Sequence, residues 1–373
     1  MNHAIPPAEH YVGLMTGTSL DAVDAALVRI TGHRIILNGS QAVPLSDELR
    51  RRIAAVTPDT ALREILKLDH QLALRYAEAV TRLLRDAGVD HSDIQAVGCH
   101  GQTVWHEPDS ETPTSLQLGN PSLLAQQLGL TVVADFRRRD IAAGGQGAPL
   151  APAFHHAMFA SKTEPRVVVN LGGMANITLL PDATPEHIGG FDTGPGNVLM
   201  DAWIDRHQAK PFDRHGSWAA GAAVDGKLLD ILRADPYFAA APPKSTGREY
   251  FNLDWLDLRL DLRPDLDPRV VQATLCELTA GTIRDAIRKH APDSKRVLLC
   301  GGGTHNRHLC SRIAAGLPEL KVEFTDDHGA PADWVEAMGF AWLARETLAG
   351  RPGNVPAVTG AERAVVLGGV YHR

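Results

Sequence analysis

The sequence is poor in cysteine, has no surplus of basic charge and holds no long apolar run. Cys99, Cys276, Cys300 and Cys310 are its only cysteines, and none stands in Cys-x-x-Cys spacing. That scatter argues against a disulfide framework and against a cysteine zinc site. Four free thiols in a reducing cytoplasm are expected. Lysine and arginine number 37 against 44 aspartates and glutamates, a formal net charge of -7. Such a balance carries no electrostatic footprint for nucleic acid or an anionic membrane. The short run Arg137-Arg138-Arg139 reads as a solvated face. No stretch approaches the roughly 18 apolar residues that a membrane helix needs. The opening MNHAIPPAEHY has neither a basic leader nor an apolar core, so no signal peptide is expected and the cytoplasm is the expected location. Two nucleotide signatures are also missing. No Gly-x-x-x-x-Gly-Lys-Ser/Thr string occurs, and no Gly-x-Gly-x-x-Gly opens a helix after the first strand. Walker-type ATPases and Rossmann dehydrogenases lose support.

What is present suits an α/β protein of two lobes. The chain has 373 residues, of which 44% are hydrophobic, more than one simple core usually takes. Tyr11–Met15 reads as a strand, Gly17-Thr18-Ser19 as a tight turn, and Ala22–Ile30 as a second strand. The segment Arg166–Leu180 repeats that pattern, with Gly172-Gly173 at its turn. Two such units suggest an internal duplication. A helical region is expected over 46–86, with Leu62, Ile65, Leu66, His70, Leu72, Leu74, Ala77, Val80, Leu83 and Leu84 as core. Further helices are expected near Val198–His207, Ala219–Ala234, Val270–His290 and Trp334–Leu348. Asp333 is placed to cap the last of these, and Gly350 to end it. Ala96–Cys99 and Thr131–Ala134 read as strands that end at His100-Gly101-Gln102 and Asp135-Phe136-Arg137. Ligands of open α/β sheets bind beyond strand ends.

Glycine turns admit phosphate oxygens to backbone N–H groups, because no Cβ blocks the approach. Gly17 meets that need, Thr18 and Ser19 add hydroxyls, and Asp21 can take Mg²⁺ directly or through water. An ordinary hairpin with a polar tip accounts for the same residues. Gly172-Gly173 and Gly301-Gly302-Gly303 carry the same two alternatives. The string GGFDTGPGNVLMDAW at 189–203 holds Asp192 in what reads as a tight loop, with Asn197 placed to start the following helix. A carboxylate there can orient toward a substrate oxygen or a water. It can equally bond its own turn.

Seven strings together resemble the anhydro-N-acetylmuramic acid kinase family. They are GLMTGTSLDAVDAAL at 13–27, CHGQTVWHEP at 99–108, VVADFRRRDIAAGGQGAPLAPAFH at 132–155, VNLGGMANITLL at 169–180, GGFDTGPGNVLMDAW, CGGGTHN at 300–306 and DWVEAMGFAWLA at 333–344. Ala22 departs from the family's commoner Gly, and Thr16 from its commoner Ser. The resemblance implies the two-lobed actin-like/hexokinase-like ATPase fold, with a deep cleft and a first lobe of residues 1–135 plus about 355–373. Residues 136–354 would form the second lobe. It implies a first phosphate hairpin of Gly17, Thr18, Ser19, Leu20, Asp21, Ala22, Val23 and Asp24, and a second at Gly172-Gly173. Gly301, Gly302 and Gly303 would lie on the nucleoside side. Asp192 would be the catalytic base, and Gln102, Arg137 and Glu336 would contact sugar. ATP and Mg²⁺ are the implied cofactors, an amino sugar the substrate, and a homodimer the assembly. An ordinary sugar 6-kinase or an Hsp70-like nucleotide-gated binding protein is the alternative.

Overall fold

A computed structural model describes residues 7–17 and 20–373 of the chain. Thr18 and Ser19, expected in the first phosphate turn, lie outside the described residues. The strands in chain order are β1 (Glu9–Thr16), β2 (Ala22–Thr31), β3 (Arg34–Pro44), β4 (Ile94–Cys99), β5 (Gln102–Glu107), β6 (Thr114–Leu118) and β7 (Val132–Ala134). They continue as β8 (Arg166–Leu171), β9 (Met174–Leu180), β10 (Gly189–Pro195), β11 (Arg296–Cys300), β12 (Lys321–Phe324) and β13 (Gly369–Tyr371). The chain divides into two compact units, Met1–Met158 with Trp334–Arg373, and Phe159–Asp333.

Each unit is built on one sheet, and the two sheets share a plan. The first runs β13-β7-β4-β1-β2-β3 and the second β10-β9-β8-β11-β12. In the first unit, β1 pairs antiparallel with β2, and β2 with β3, while β4 lies parallel to both β1 and β7. In the second, β8, β9 and β10 form the antiparallel meander, and β11 lies parallel to both β8 and β12. Three antiparallel strands followed by two parallel ones occur twice, so the duplication expected from the two strand–turn–strand segments is present in the topology. This is the α/β, actin-like/hexokinase-like plan.

The expected unit boundaries near 135 and 354 are displaced in the structure. Residues 136–158 and 334–354 belong to the first unit. The reason is packing. Asp140 is fully buried and accepts hydrogen bonds from Asn354 Nδ2 at 2.6 Å, Thr359 Oγ1 at 2.8 Å and Gly147 N at 2.7 Å. It fastens the segment after β7 to the C-terminal segment. The helix Val335–Leu348 lies against β1 and β4. Gly98 and Gly13 face it so closely that a Cβ on Gly98 would be driven into the Phe340 carbonyl, and one on Gly13 into that of Ala337.

Three local expectations also change. The helical region expected over 46–86 is two helices, Asp47–Ala54 and Leu62–Ala87, separated around Pro58. Proline cannot continue the helical hydrogen bonds. The buried stripe of the longer helix is Leu68, Leu72, Tyr76, Ala79, Val80, Leu83 and Leu84. Leu62, Leu66 and Leu74 are 71%, 58% and 40% exposed and lie off that stripe. Within Ala219–Ala234, the α-helix is only Gly226–Arg233, capped by the Asp225 side chain. Asp333 does not cap the last helix. Its carboxylate meets His305 Nε2 at 2.9 Å, and Trp334 takes the cap position without a side-chain bond. Gly350 does end that helix, with a left-handed φ of 65°. Among the described residues, no helix is long and apolar enough to cross a membrane.

Close approach of the helix Val335–Leu348 to β4 yields a stability prediction. Gly98→Val should force that helix off the sheet and destabilise the protein by about 3 kcal/mol or more, near the top of the usual overpacking range. Urea unfolding followed by circular dichroism measures it. An unchanged midpoint would contradict the packing account.

Candidate active site

In the second unit, three glycine-bearing segments converge at the ends of β8, β10 and β11. The β8–β9 turn carries Gly172-Gly173, as expected. Gly172 O accepts from Asn197 N at 2.9 Å, and Gly173 O accepts from Gly196 N at 2.8 Å and Val198 N at 3.2 Å. The turn's carbonyls therefore satisfy the amides that open the helix Val198–Gln208, donors that a helix cannot satisfy itself. Asn197 stands at the N-cap as expected, yet its side chain makes no cap. Asn197 Nδ2 donates instead to Leu171 O at 3.3 Å. A Cβ on Gly196 would run into Gly172 O, so the approach requires glycine.

The Gly301–Gly303 segment follows β11 and packs on Leu171. Gly301 has a left-handed φ of 83°, and a Cβ there would collide with Asn170 Oδ1. Open space faces Gly302. Thr304 Oγ1 and N both bond back to Gly301 O, at 2.8 and 3.0 Å, and close the segment into a 3₁₀ turn. Asn170 Oδ1 is buried and has no hydrogen-bond partner among the described residues. An orphaned buried acceptor costs free energy unless a ligand or water supplies a donor. The Asn170 side chain lies beside Gly301 and Gly172.

Asp192 sits on β10, not in a loop. Glycine, proline and Thr193 around it suggested a turn, but the segment pairs with β9, and the disturbance is confined to a register shift between Asp192 and Gly194. Its carboxylate Oδ2 accepts from Thr246 N at 3.0 Å. Asp192 N donates to Lys244 O at 3.1 Å, and Asp192 O accepts from Tyr237 Oη at 2.8 Å. Three bonds thus join this residue to the segment 237–246. Lys244 Nζ donates to Tyr237 O at 3.0 Å and lies 4.6 Å from the Tyr237 ring centroid. Burial and the neighbouring charge of Lys289 lower the Lys244 pKa, while Asp192 opposes that shift. Burial, then the Asp192 charge, raises that of Tyr237. This segment was passed over in the sequence. Its signal was the turn-rich polar string Pro242-Pro243-Lys244-Ser245-Thr246-Gly247.

The first unit holds the other expected residues. Leu20 N bonds Gly17 O at 3.1 Å, and Leu20 itself is buried with a left-handed φ of 58°. Thr16 Oγ1 and Tyr76 Oη lie 2.7 Å apart, which pins the end of β1 just before the turn. Ala22 and Val23 open β2, with Asp24 paired to Met15 across the hairpin. Ala22 has no left-handed φ, so alanine fits where the family more often has glycine. Asp21 is 66% exposed and meets Arg50 Nη1 at 3.3 Å. Gln102 begins β5 and is buried, and its Oε1 has no partner among the described residues. Glu336 lies in the first turn of Val335–Leu348 and is partly buried.

Arg137 is held by two elements. Its Nε and Nη2 reach His100 Nε2 at 3.0 and 2.8 Å, and its Nη1 donates to Gly147 O at 2.7 Å. His100 Nδ1 lies 2.7 Å from Gly101 O. Nε2 facing a guanidinium must accept, so the ring is neutral with its proton on Nδ1. Burial, then the Arg137 charge, pushes the His100 pKa well below its ordinary value. Asp135, ahead of Arg137, adopts a left-handed φ of 60°, and its Oδ1 accepts from Arg138 Nε at 2.7 Å. Asp tolerates that region better than most residues. The four cysteines are buried, and no disulfide joins them. Burial raises Cys99 and Cys276 to about 12 and Cys310 to about 11, which leaves them as thiols without nucleophilic character.

The donors present fit a hydrated cation better than a caged one. In the first unit Asp21 is a single exposed carboxylate, and no group of three His, Cys, Asp or Glu gathers among the described residues. Mg²⁺ keeps several waters and takes one or two protein oxygens beside substrate phosphates.

The neutral state of His100 has a measurable consequence. In the unfolded chain His100 takes up a proton as pH falls through its ordinary 6.5, whereas the folded ring resists. The unfolded state then binds more protons, so this contribution is present above pH 6.5 and is lost progressively on acidification below it. Carbon chemical shifts of the His100 ring at pH 6.5 should be those of neutral imidazole. A half-protonated ring at that pH would contradict the arrangement.

The family model described as anhydro-N-acetylmuramic acid kinase matches residues 9–373. Among solved structures, the activator of the 2-hydroxyisocaproyl-CoA dehydratase from Clostridium difficile with bound ADPNP matches with a TM-score of 0.47 and 11% identity. That match covers 89% of this chain and 92% of the other. A ROK family glucokinase from Streptomyces griseus in complex with glucose and AMPPNP matches with a TM-score of 0.42 and 15% identity, over 90% and 99% of the two chains. The family match spans both sheets and every segment described above: the chain belongs to the anhydro-N-acetylmuramic acid kinase family.

Proposed function

We propose that the chain converts 1,6-anhydro-N-acetylmuramic acid, ATP and water to N-acetylmuramic acid 6-phosphate and ADP, in the cytoplasmic recycling of peptidoglycan fragments. The observation that carries this reading is Asp192, a partly buried carboxylate held by the Thr246 amide. It lies on the strand next to the glycine turn that leads into the helix Val198–Gln208.

The substrate dictates the base's task. O6 of the anhydro sugar is tied to C1 and carries no proton, so a base has nothing to remove there. Asp192 takes a proton from a water, and the water oxygen forms a bond to C1. The C1–O6 bond breaks, and its electron pair passes to O6. O6 then bonds the γ-phosphorus as the bond from phosphorus to the ADP oxygen breaks. No separate general acid is needed for O6, unlike the paired carboxylates of glycosidases. The Gly172-Gly173 and Gly301–Gly303 segments bind the nucleotide, with Gly17–Asp24 as the first phosphate hairpin. Asp21 would hold Mg²⁺ through water. Mg²⁺ supplies charge neutralisation on the phosphates. Arg137, oriented by neutral His100 and Gly147 O, contacts the sugar together with Gln102 and Glu336. An arginine whose fork is already fixed loses little freedom when it binds an oxygen of the substrate.

Asp192→Asn should keep the fold and bind ATP normally, yet lose about 10²–10⁴-fold in turnover, the usual worth of a general base. Product mass spectrometry with anhydro-N-acetylmuramic acid and Mg-ATP measures the rate, and calorimetric titration measures ATP binding. Near-normal turnover removes Asp192 from the role.

A further inference from the structure

Asp235 has no place in the chemistry above, yet it is the most heavily bonded carboxylate near the base. It is 5% exposed and caps the helix Pro236–Ala239. Its Oδ1 accepts from Tyr237 N at 2.9 Å and Tyr250 Oη at 2.8 Å. Its Oδ2 accepts from Trp255 Nε1 at 2.9 Å and Arg259 Nη2 at 2.5 Å. Arg259 in turn lies over the Trp255 ring, 3.9 Å from its centroid. Phe251 packs edge-on against Tyr237, Tyr250 and Trp255, with centroids 4.9 to 5.4 Å away. One carboxylate therefore gathers both ends of the segment 235–259 around an aromatic cluster.

The middle of that segment supplies all three bonds described on Asp192. Tyr237 Oη holds its carbonyl, Lys244 O its amide and Thr246 N its carboxylate. Tyr237 is the shared residue: its amide is bonded to Asp235 and its hydroxyl to Asp192. From Pro236 to Asn252 the chain is loop apart from the single helical turn Pro236–Ala239, so nothing in its own secondary structure fixes its course.

We propose that Asp235 is a positioning residue for the base: by folding the segment 235–259, it sets where the Tyr237 hydroxyl and the Thr246 amide hold Asp192. This rests on the reading of Asp192 as base. Asp235 touches no reacting atom, and its effect reaches the chemistry through Asp192 alone. A catalytic group misplaced by about 1 Å costs about 10²-fold in rate.

Two variants test this in the full-length enzyme. Asp235→Asn removes the charge that holds Arg259. Tyr237→Phe removes only the hydroxyl on Asp192 and keeps the ring packing, so it carries the test if Asp235→Asn fails to fold. We expect kcat to fall about 10²-fold in Asp235→Asn and about tenfold in Tyr237→Phe, with KM for sugar and for ATP within about twofold. A general structural role would also raise KM. In an Asp192→Asn background, neither change should lower the residual turnover by more than about twofold, because the group being positioned is gone. Equal losses in both backgrounds, or normal kcat in folded Asp235→Asn and Tyr237→Phe, overturn the positioning role and leave the base assignment standing. Normal turnover in Asp192→Asn alone overturns the base assignment and this proposal with it.

Discussion

The second unit depends on one backbone contact: the carbonyls of Gly172 and Gly173 against the amides of Gly196, Asn197 and Val198. These bonds close the β8–β9 turn onto the end of β10 and give the helix Val198–Gln208 its missing acceptors. They also tie the glycine turn to the strand that carries Asp192. Gly196 permits the contact because a side chain there would occupy the position of the Gly172 oxygen. Gly301 sits on the other side of the same turn, again too close for a Cβ, with the orphaned Asn170 oxygen next to it. Polar groups left without partners inside a protein are costly, and they persist where a ligand or water completes them.

The first unit solves a similar problem with side chains. Arg137 would be a mobile cation on a short helix, but His100 and Gly147 O take its guanidinium from two directions. Asp140 fixes Gly147 in turn through its amide, and reaches Asn354 and Thr359 near the C-terminus. The neutrality of His100 is a consequence: a second cation against Arg137 would undo the arrangement, and burial removes the water that would stabilise it. Fixed orientation of polar groups before substrate arrives is what lowers the cost of binding and of charge movement.

Much of this was legible in the sequence because it is written in short-range chemistry. Glycine turns after β-branched strands marked both hairpins, and the family strings marked Asp192. Asp192 reads as a loop residue locally, because glycine and proline beside it signal a turn, while its pairing with β9 is a long-range fact. The core stripe of Leu62–Ala87 was half right for a similar reason: leucines at near-helical spacing do not reveal which face meets the sheet. Asp333 resembled a helix cap locally, but His305, 28 residues away, claims its carboxylate. The unit boundaries were missed because the helix Val335–Leu348 joins β1 and β4 through contacts more than 200 residues apart in the chain. The segment 235–259 was invisible as a support for Asp192, since only folding brings Tyr237 and Thr246 to β10.

In the proposed reaction the base activates water, not a sugar hydroxyl. Its most direct test is a single turnover of anhydro-N-acetylmuramic acid and Mg-ATP in H₂¹⁸O, quenched before the product's anomeric oxygen exchanges with solvent. The account predicts one ¹⁸O at C1 of N-acetylmuramic acid 6-phosphate and none in the bridge to phosphorus. Phosphorylated product without ¹⁸O at C1 would contradict it, and would return the chain to an ordinary kinase acting on a free hydroxyl.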